Sequence, residues 1–411
     1  MGHFSDLAIQ EMEDRINREG LGDKQVCARC FDDPHLARFI ARKATGSKCD
    51  YCGESGKKVR AAPILDLIDH ILPLIEREYE DAEFALPRDP ETKDHMFPED
   101  ILDAREMLEL EIGLGLPRDH DGRLMDDIAG ALPDQAWCRI SPLATAPAQT
   151  IGNSWDAFKT IIKHRRRFFF LQHEDAALAE DMRFGEAAYT VAELLAQIAD
   201  FARRSGMIVP LAKGSLWYRS QAMAAGEKDF PAPRMGPPPY EHATLPNRMS
   251  PAGVPMFYGA ASIDTALAET ADGPGRFALG RFATLRDIQV LDMRRLPEVP
   301  SLFDEARAPD RPFARFMQHF VEEFGAPIDR ERRPHVDYVP TQVVTEYVRT
   351  MVKADKAAPV EGMLYTSSRD GRDAIVLFAE NDAVVGAEAG EIEPWLEMTD
   401  YLEVDFDPAA K

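Results

Sequence analysis

The chain of 411 residues carries 71 acidic against 48 basic side chains, a formal charge of −23. That balance argues against a general binder of nucleic acid or of anionic membrane, because phosphate surfaces are met by local positive charge. A hydrophobic share of 45% suffices for folded cores, and the length suggests two or three domains. There is no charged-then-apolar leader and no apolar run of about 18 residues. The expectation is a cytoplasmic protein without a membrane span.

In chain order, residues 5–20 have the spacing of an amphipathic helix closed by Gly20. Cys27-Ala-Arg-Cys30 and Cys49-Asp-Tyr-Cys52 follow, separated by eighteen residues, within the range of a four-thiolate zinc site. Each C-x2-C turn sets two sulfurs around a tetrahedral ion, and Gly53 suits a tight knuckle. Four protein thiolates leave no open position, so the ion implied is structural Zn2+. The intervening loop holds a predicted helix, Asp33–Ala44, with Leu36, Phe39 and Ile40 on one face. The fifth cysteine, Cys138, suits a core thiol.

Residues 63–82 have helical spacing, with Pro63 at the start and Pro73 expected to kink or split the helix. Residues 99–112 are predicted helical. Ser154 is the expected cap of a helix bearing Trp155, Phe158, Ile161 and Ile162, which runs on to Lys163-His-Arg-Arg-Arg167 and Phe168-Phe-Phe170. Thr190-Val-Ala-Glu193 is a capping box opening a further helix. Residues 60–205 therefore read as nearly all-α.

The second half changes character. Short β-type runs appear at Leu216–Tyr218, Met256–Tyr258, Phe277–Phe282, Ile288–Leu291, Met363–Tyr365, Ala374–Phe378 and Ala383–Val385. Helices are predicted between them at Arg311–Phe324 and Thr341–Ala354. This is an α+β pattern with a mostly antiparallel sheet. Ser250-Pro-Ala-Gly253 is a turn with Gly where φ is positive, and Ser262 caps a helix that ends near Glu269. The Pro-rich stretch Gly226–Asn247 is a long loop of the functional-lid type. Residues after Ala387 are expected to form a loosely packed acidic tail.

Seven pieces in order carry a resemblance: Tyr218-Arg219; Arg248; Phe257-Tyr258; Ala266-Leu-Ala-Glu269; Tyr338-Val-Pro-Thr-Gln342; Gly362-Met-Leu-Tyr-Thr-Ser367; and Ile375-Val-Leu-Phe378. Together they resemble the core of the RES domain. The loop after its arginine departs from the family pattern, with Met249-Ser250 where an aromatic residue and Asn are common. The four-cysteine knuckle and the Trp155-to-Phe170 helix resemble the HEPN-related domain found ahead of RES domains. The resemblance implies a division into residues 1–60 (zinc knuckle), 61–205 (helical HEPN-like domain), 206–390 (RES domain) and 391–411 (acidic tail). It also implies an ADP-ribosyltransferase-like mixed α/β fold for the RES part.

RES domains consume NAD+, and the residue types suit that substrate. Arg219 and Arg248 match pyrophosphate oxygens. Glu269 suits stabilisation of oxocarbenium charge on the ribose. Tyr258 offers a ring and a hydroxyl, and Ser367, with Ser368 as its rival, a hold on ribose or nicotinamide. The implied catalytic residues are Arg219, Glu269 and Ser367; Arg219, Arg248, Tyr258 and Ser367 bind the dinucleotide. Phosphorolysis, with inorganic phosphate as partner, hydrolysis, and ADP-ribosyl transfer to a protein all remain open. So does a toxin or defence role with an antitoxin or regulatory partner. The alternative is a HEPN ribonuclease acting through Arg167 and His173, with the RES half as sensor.

Overall fold

The computed structural model describes residues 18–89, 92, 94–140, 147–168, 189–325, 334–354, 357–388 and 393–407. Two compact units divide the chain: residues 1–150 with 299–315, and residues 151–298 with 316–411. Most of the helix predicted over 5–20, and His173, lie outside the described residues. Among the described residues no helix is long and apolar enough to cross a membrane.

In the first unit the strands Gln25–Cys27 and Ala61–Pro63 pair antiparallel and bracket the knuckle. The helix Pro34–Lys43 begins where Asp33 accepts from the amides of His35 and Leu36 at 2.7 and 3.1 Å. It buries Leu36 and Ile40. The helix Ile64–Ile75 buries Ile64, Leu67, Ile68, Ile71, Leu74 and Ile75, one apolar stripe of helical period. Pro73 falls in its last turn and does not split it. Its missing N–H costs the helix one bond, to the carbonyl four residues back, and the helix ends two residues later.

Two further features depart from the helical expectation. Tyr79–Asp81 and Trp137–Arg139 form a two-stranded ribbon. Residues 299–315 belong to this unit although they lie far along the chain. Leu302 and Phe303 enter its core, and buried Arg311 is paired with Glu78 at 2.5 Å. Arg315 reaches the same carboxylate at 2.9 Å. Burial alone would push Glu78 up, but the two guanidinium groups hold it below its ordinary value.

The second unit is built on an eight-stranded sheet. Its strands, numbered along the chain, are β1 Ile208–Leu211, β2 Leu216–Ala222, β3 Phe257–Ala260, β4 Gly275–Thr284, β5 Ile288–Asp292, β6 Val360–Thr366, β7 Asp373–Leu377 and β8 Leu396–Phe406. The spatial order is β8-β4-β2-β3-β7-β6-β5-β1. Only β5 and β6 run parallel; every other neighbouring pair is antiparallel. The fold is α+β, as the sequence indicates. The stretch expected to be a loose tail instead supplies β8, paired with β4 from Leu396↔Thr284 to Phe406↔Gly275 with one register shift between Met398 and Asp400. An edge strand keeps charge on its open face, so its acidic composition resembles a tail.

Helices cover this sheet. Ser154 is not a cap: the helix runs Pro147–Thr160, and buried Ser154 accepts from the amide of Tyr189 at 3.3 Å. The capping box of Thr190 and Glu193 opens the helix Val191–Arg204. Trp155 donates to Glu323 at 2.7 Å and meets Phe320 edge-on. The Pro-rich loop is packed rather than loose. Phe230 and Met235 are buried, and Asn381 donates to the carbonyls of Pro233 and Pro237.

Candidate active site

The four central strands β2, β3, β7 and β6 converge on one site. Gly362 is what lets β6 and β7 approach. A Cβ there would lie 2.6 Å from the carbonyl oxygen of Val376, closer than any side chain tolerates. Tyr365, three residues on, pairs with Ala374, and Ser367 stands just past the strand end. The turn after it is fixed by Ser367 N–H to Arg372 O at 2.8 Å and Gly371 N–H to Ser367 O at 2.9 Å.

Glu269 comes from the helix Ile263–Thr270. Ser262 caps this helix, accepting from the Thr265 amide at 3.2 Å, and Thr265 donates to Asp370 at 2.8 Å. That bond ties the helix to the turn carrying Ser367, and the Ser367 hydroxyl donates to Glu269. Ser367 is 2% exposed, whereas Ser368 is open to solvent. The geometry therefore joins Ser367, and not Ser368, to the carboxylate.

Arg219, on β2, donates to the carbonyl of Tyr258 at 3.0 Å and lies 5.5 Å from the centre of the Phe257 ring. Its Nε has no hydrogen-bond partner among the described residues. Burial pulls its pKa down to about 10, so it remains a cation at neutral pH but a poorly solvated one. Such a group gains from an incoming anion.

Arg248 lies in the loop before β3. Its guanidinium donates to the carbonyl of Phe324 at 2.7 Å. The turn beyond it has Gly253 at φ +87°, as the sequence indicates. The Tyr258 and Ser250 hydroxyls share a hydrogen bond of 2.9 Å.

Tyr365, on β6 two residues before Ser367, joins these groups. Burial pushes its hydroxyl far up, reinforced by Glu269 and Tyr258 and opposed by Arg248 and Arg219. These five groups thus share one electrostatic neighbourhood. Beside it opens a cavity of about 580 Å³, ligand-sized, lined by Met293, Gln318, Val321, Phe324, Tyr365 and Ser367 among others.

The tyrosines give the site a pH signature. Tyr258 is pushed up to about 12, mainly by burial, from an ordinary value near ~10. The folded state therefore holds this proton more tightly than the unfolded state does. The associated stability is complete below about pH 10 and is lost as pH rises through about 12, at most about 3 kcal/mol for this group. The unfolding midpoint is expected to fall across that window, and Tyr258→Phe is expected to flatten the fall. An identical slope in the variant would remove Tyr258 as its cause.

In the first unit the sulfurs of Cys27, Cys30, Cys49 and Cys52 lie within 4.8 Å of one another, with 3.7 Å between Cys27 and Cys30, Cys27 and Cys52, and Cys30 and Cys49. A tetrahedral zinc with Zn–S near ~2.3 Å requires S···S near ~3.8 Å, so the thiols fit such an ion. The Cys49 thiol is drawn well below its ordinary value by hydrogen bonds from Cys27 and Cys30. Cys138 is separate and buried, and burial pushes its thiol up to about 11.

Fold and site together define an α+β protein in which Ser367, bonded to Glu269, and Tyr365 line a ligand-sized cavity, with a four-thiolate knuckle in a separate unit. Residues 216–399 match the RES domain, and residues 42–176 match HEPN/RES N-terminal domain 1. The chain is a RES-domain protein with a HEPN/RES N-terminal domain. No curated protein and no solved structure matched it. A RES domain implies NAD+-related toxin activity in general.

Proposed function

We propose that this protein degrades NAD+ by breaking the bond between nicotinamide and ribose. The observation that carries the proposal is the meeting of Glu269 and Ser367 beside Tyr365 and the cavity, with Arg219 and Arg248 in the same electrostatic neighbourhood. The arginines take the pyrophosphate, and desolvated Arg219 has the most to gain from it. As the C1″–N bond breaks, its electron pair passes to the nicotinamide nitrogen and positive charge grows on the ribose. The Glu269 carboxylate stabilises that charge, while the Ser367 hydroxyl holds the carboxylate in place. An acceptor oxygen then bonds C1″ and gives up its proton. Water yields ADP-ribose and phosphate yields ADP-ribose 1″-phosphate; a protein side chain in the acceptor position would make the enzyme a transferase.

The role that fits this chemistry is a cytoplasmic toxin or defence effector restrained by an antitoxin or regulatory protein. The four knuckle cysteines hold zinc as a structural ion, since four protein ligands leave it no position for substrate. The test is nicotinamide release from NAD+ by purified, zinc-replete protein with and without inorganic phosphate. Release is expected, and its dependence on phosphate assigns the acceptor. No release from the folded full chain, with or without phosphate, would overturn the reading.

A further inference from the structure

We propose that Thr341 and Gln342 are positioning residues that set the Arg248 loop for the dinucleotide, an inference that rests on the NAD+ reading above. Both stand in the first turns of the helix Val339–Met351 and both are 7% exposed. The Thr341 hydroxyl donates to the carbonyl of Arg248 and is also within 2.9 Å of the carbonyl of Tyr338. The Gln342 amide donates to the carbonyls of Asn247 at 2.8 Å and Ser250 at 3.3 Å.

Two side chains thus hold three carbonyls in a four-residue span. The loop closes on itself through Asn247 N–H to Ser250 O at 2.8 Å. With the carbonyls of Asn247, Arg248 and Ser250 held, the backbone from which the Arg248 side chain springs is fixed, and its guanidinium reaches the Phe324 carbonyl at 2.7 Å. The clamp reaches further through Ser250, whose hydroxyl meets that of Tyr258. One pair of side chains therefore fixes Arg248 and Tyr258 together. The platform is itself rigid: Thr345, fully buried, donates back to the Thr341 carbonyl at 2.8 Å. Pro340 lies in the helix's first turn, where its missing N–H costs nothing.

A clamp on an anion-binding loop acts on binding more than on bond breaking. Thr341→Val keeps the shape and removes the hydroxyl; Thr341→Ser keeps the hydroxyl. Gln342→Glu keeps the shape and replaces the donor with acceptors. Thr341→Val and Gln342→Glu are expected to raise KM for NAD+ and weaken ADP-ribose binding about tenfold or more, with a smaller change in kcat. Thr341→Ser is expected to match the parent protein. Amide exchange gives an independent reading in the ligand-free protein. The two disruptive variants should lose protection at residues 247–253 and keep it in β6 and β7.

Unchanged exchange in the loop would overturn the clamp whatever the kinetics show. A loosened loop in an enzyme whose KM and ADP-ribose affinity stay unchanged would overturn the positioning role. A parent protein that neither consumes NAD+ nor binds ADP-ribose would instead overturn the NAD+ reading and the positioning role that rests on it. Loop exchange would then still report on the clamp alone.

Discussion

Removing the proposed zinc with a chelator is expected to collapse the unit that holds the knuckle. Zinc binding by such sites is worth about 10–16 kcal/mol, while a whole domain is stable by only about 5–15 kcal/mol. The knuckle is not a peripheral appendage: Cys27, Cys30, Cys49 and Tyr51 are buried in the same core as Val26, Leu36, Ile40 and Ile68. Without an ion, four thiols confined within 4.8 Å cannot all ionise, and hydrogen bonds among them are a weak substitute. Far-UV ellipticity and resistance of residues 18–140 to protease should fall on chelation and return with added zinc. The double variant Cys27→Ser, Cys49→Ser should show the same loss without a chelator. Protein that contains no metal and melts unchanged after chelator treatment would exclude a structural ion.

The knuckle was legible because its signal is local, and so were the Thr190–Glu193 capping box, the Ser262 cap and the positive φ of Gly253. Each depends on a few neighbouring residues and on chemistry that the chain cannot easily override. Failures occurred where distant sequence decides. Leu302 and Phe303 belong to the first unit's core, yet nothing nearby distinguishes them from loop hydrophobics. Ser154 has the composition of a cap, but its hydroxyl is engaged by Tyr189 inside a longer helix. Residues 396–406 form an edge strand whose alternation loses phase at the register shift between Met398 and Asp400.

The candidate site was legible by a different route. Arg219, Arg248, Tyr258, Glu269 and Ser367 follow from the family pattern, and in the fold Ser367 bonds Glu269 and Arg219 bonds the Tyr258 carbonyl. Ser367 is favoured over Ser368 in the sequence by its place two residues after Tyr365, and in the fold it is the buried serine whose hydroxyl meets Glu269. In the sequence Tyr365 only marks the serine two residues on; its charged neighbours, which add it to the site, come from distant strands and loops. Thr341 and Gln342 stood in the quoted pattern without a role until their carbonyl partners were known.

Replacing Glu269 by Gln is expected to lower kcat for nicotinamide release about 10²–10³-fold while leaving KM within a few-fold of the parent, the scale on which a preorganised electrostatic group acts. Gln is the informative choice. It keeps the size of the side chain and an oxygen to accept from Ser367, so the helix and the turn keep their tie, but it removes the charge that faces the developing oxocarbenium. If Glu269 served only to brace the turn after β6, the variant would turn over NAD+ normally. Ser367→Ala tests the same contact from the other side. It leaves the carboxylate charged but without the Ser367 hydrogen bond, and is expected to cost less, about tenfold. Because the two residues share one hydrogen bond, the double variant Glu269→Gln, Ser367→Ala should lose less than the product of the single losses. Fully multiplicative losses would mean that Ser367 acts on the substrate directly and not through Glu269. The contrast with Thr341→Val then separates two functions in one site: kcat follows the charge at Glu269, and KM follows the loop that carries Arg248.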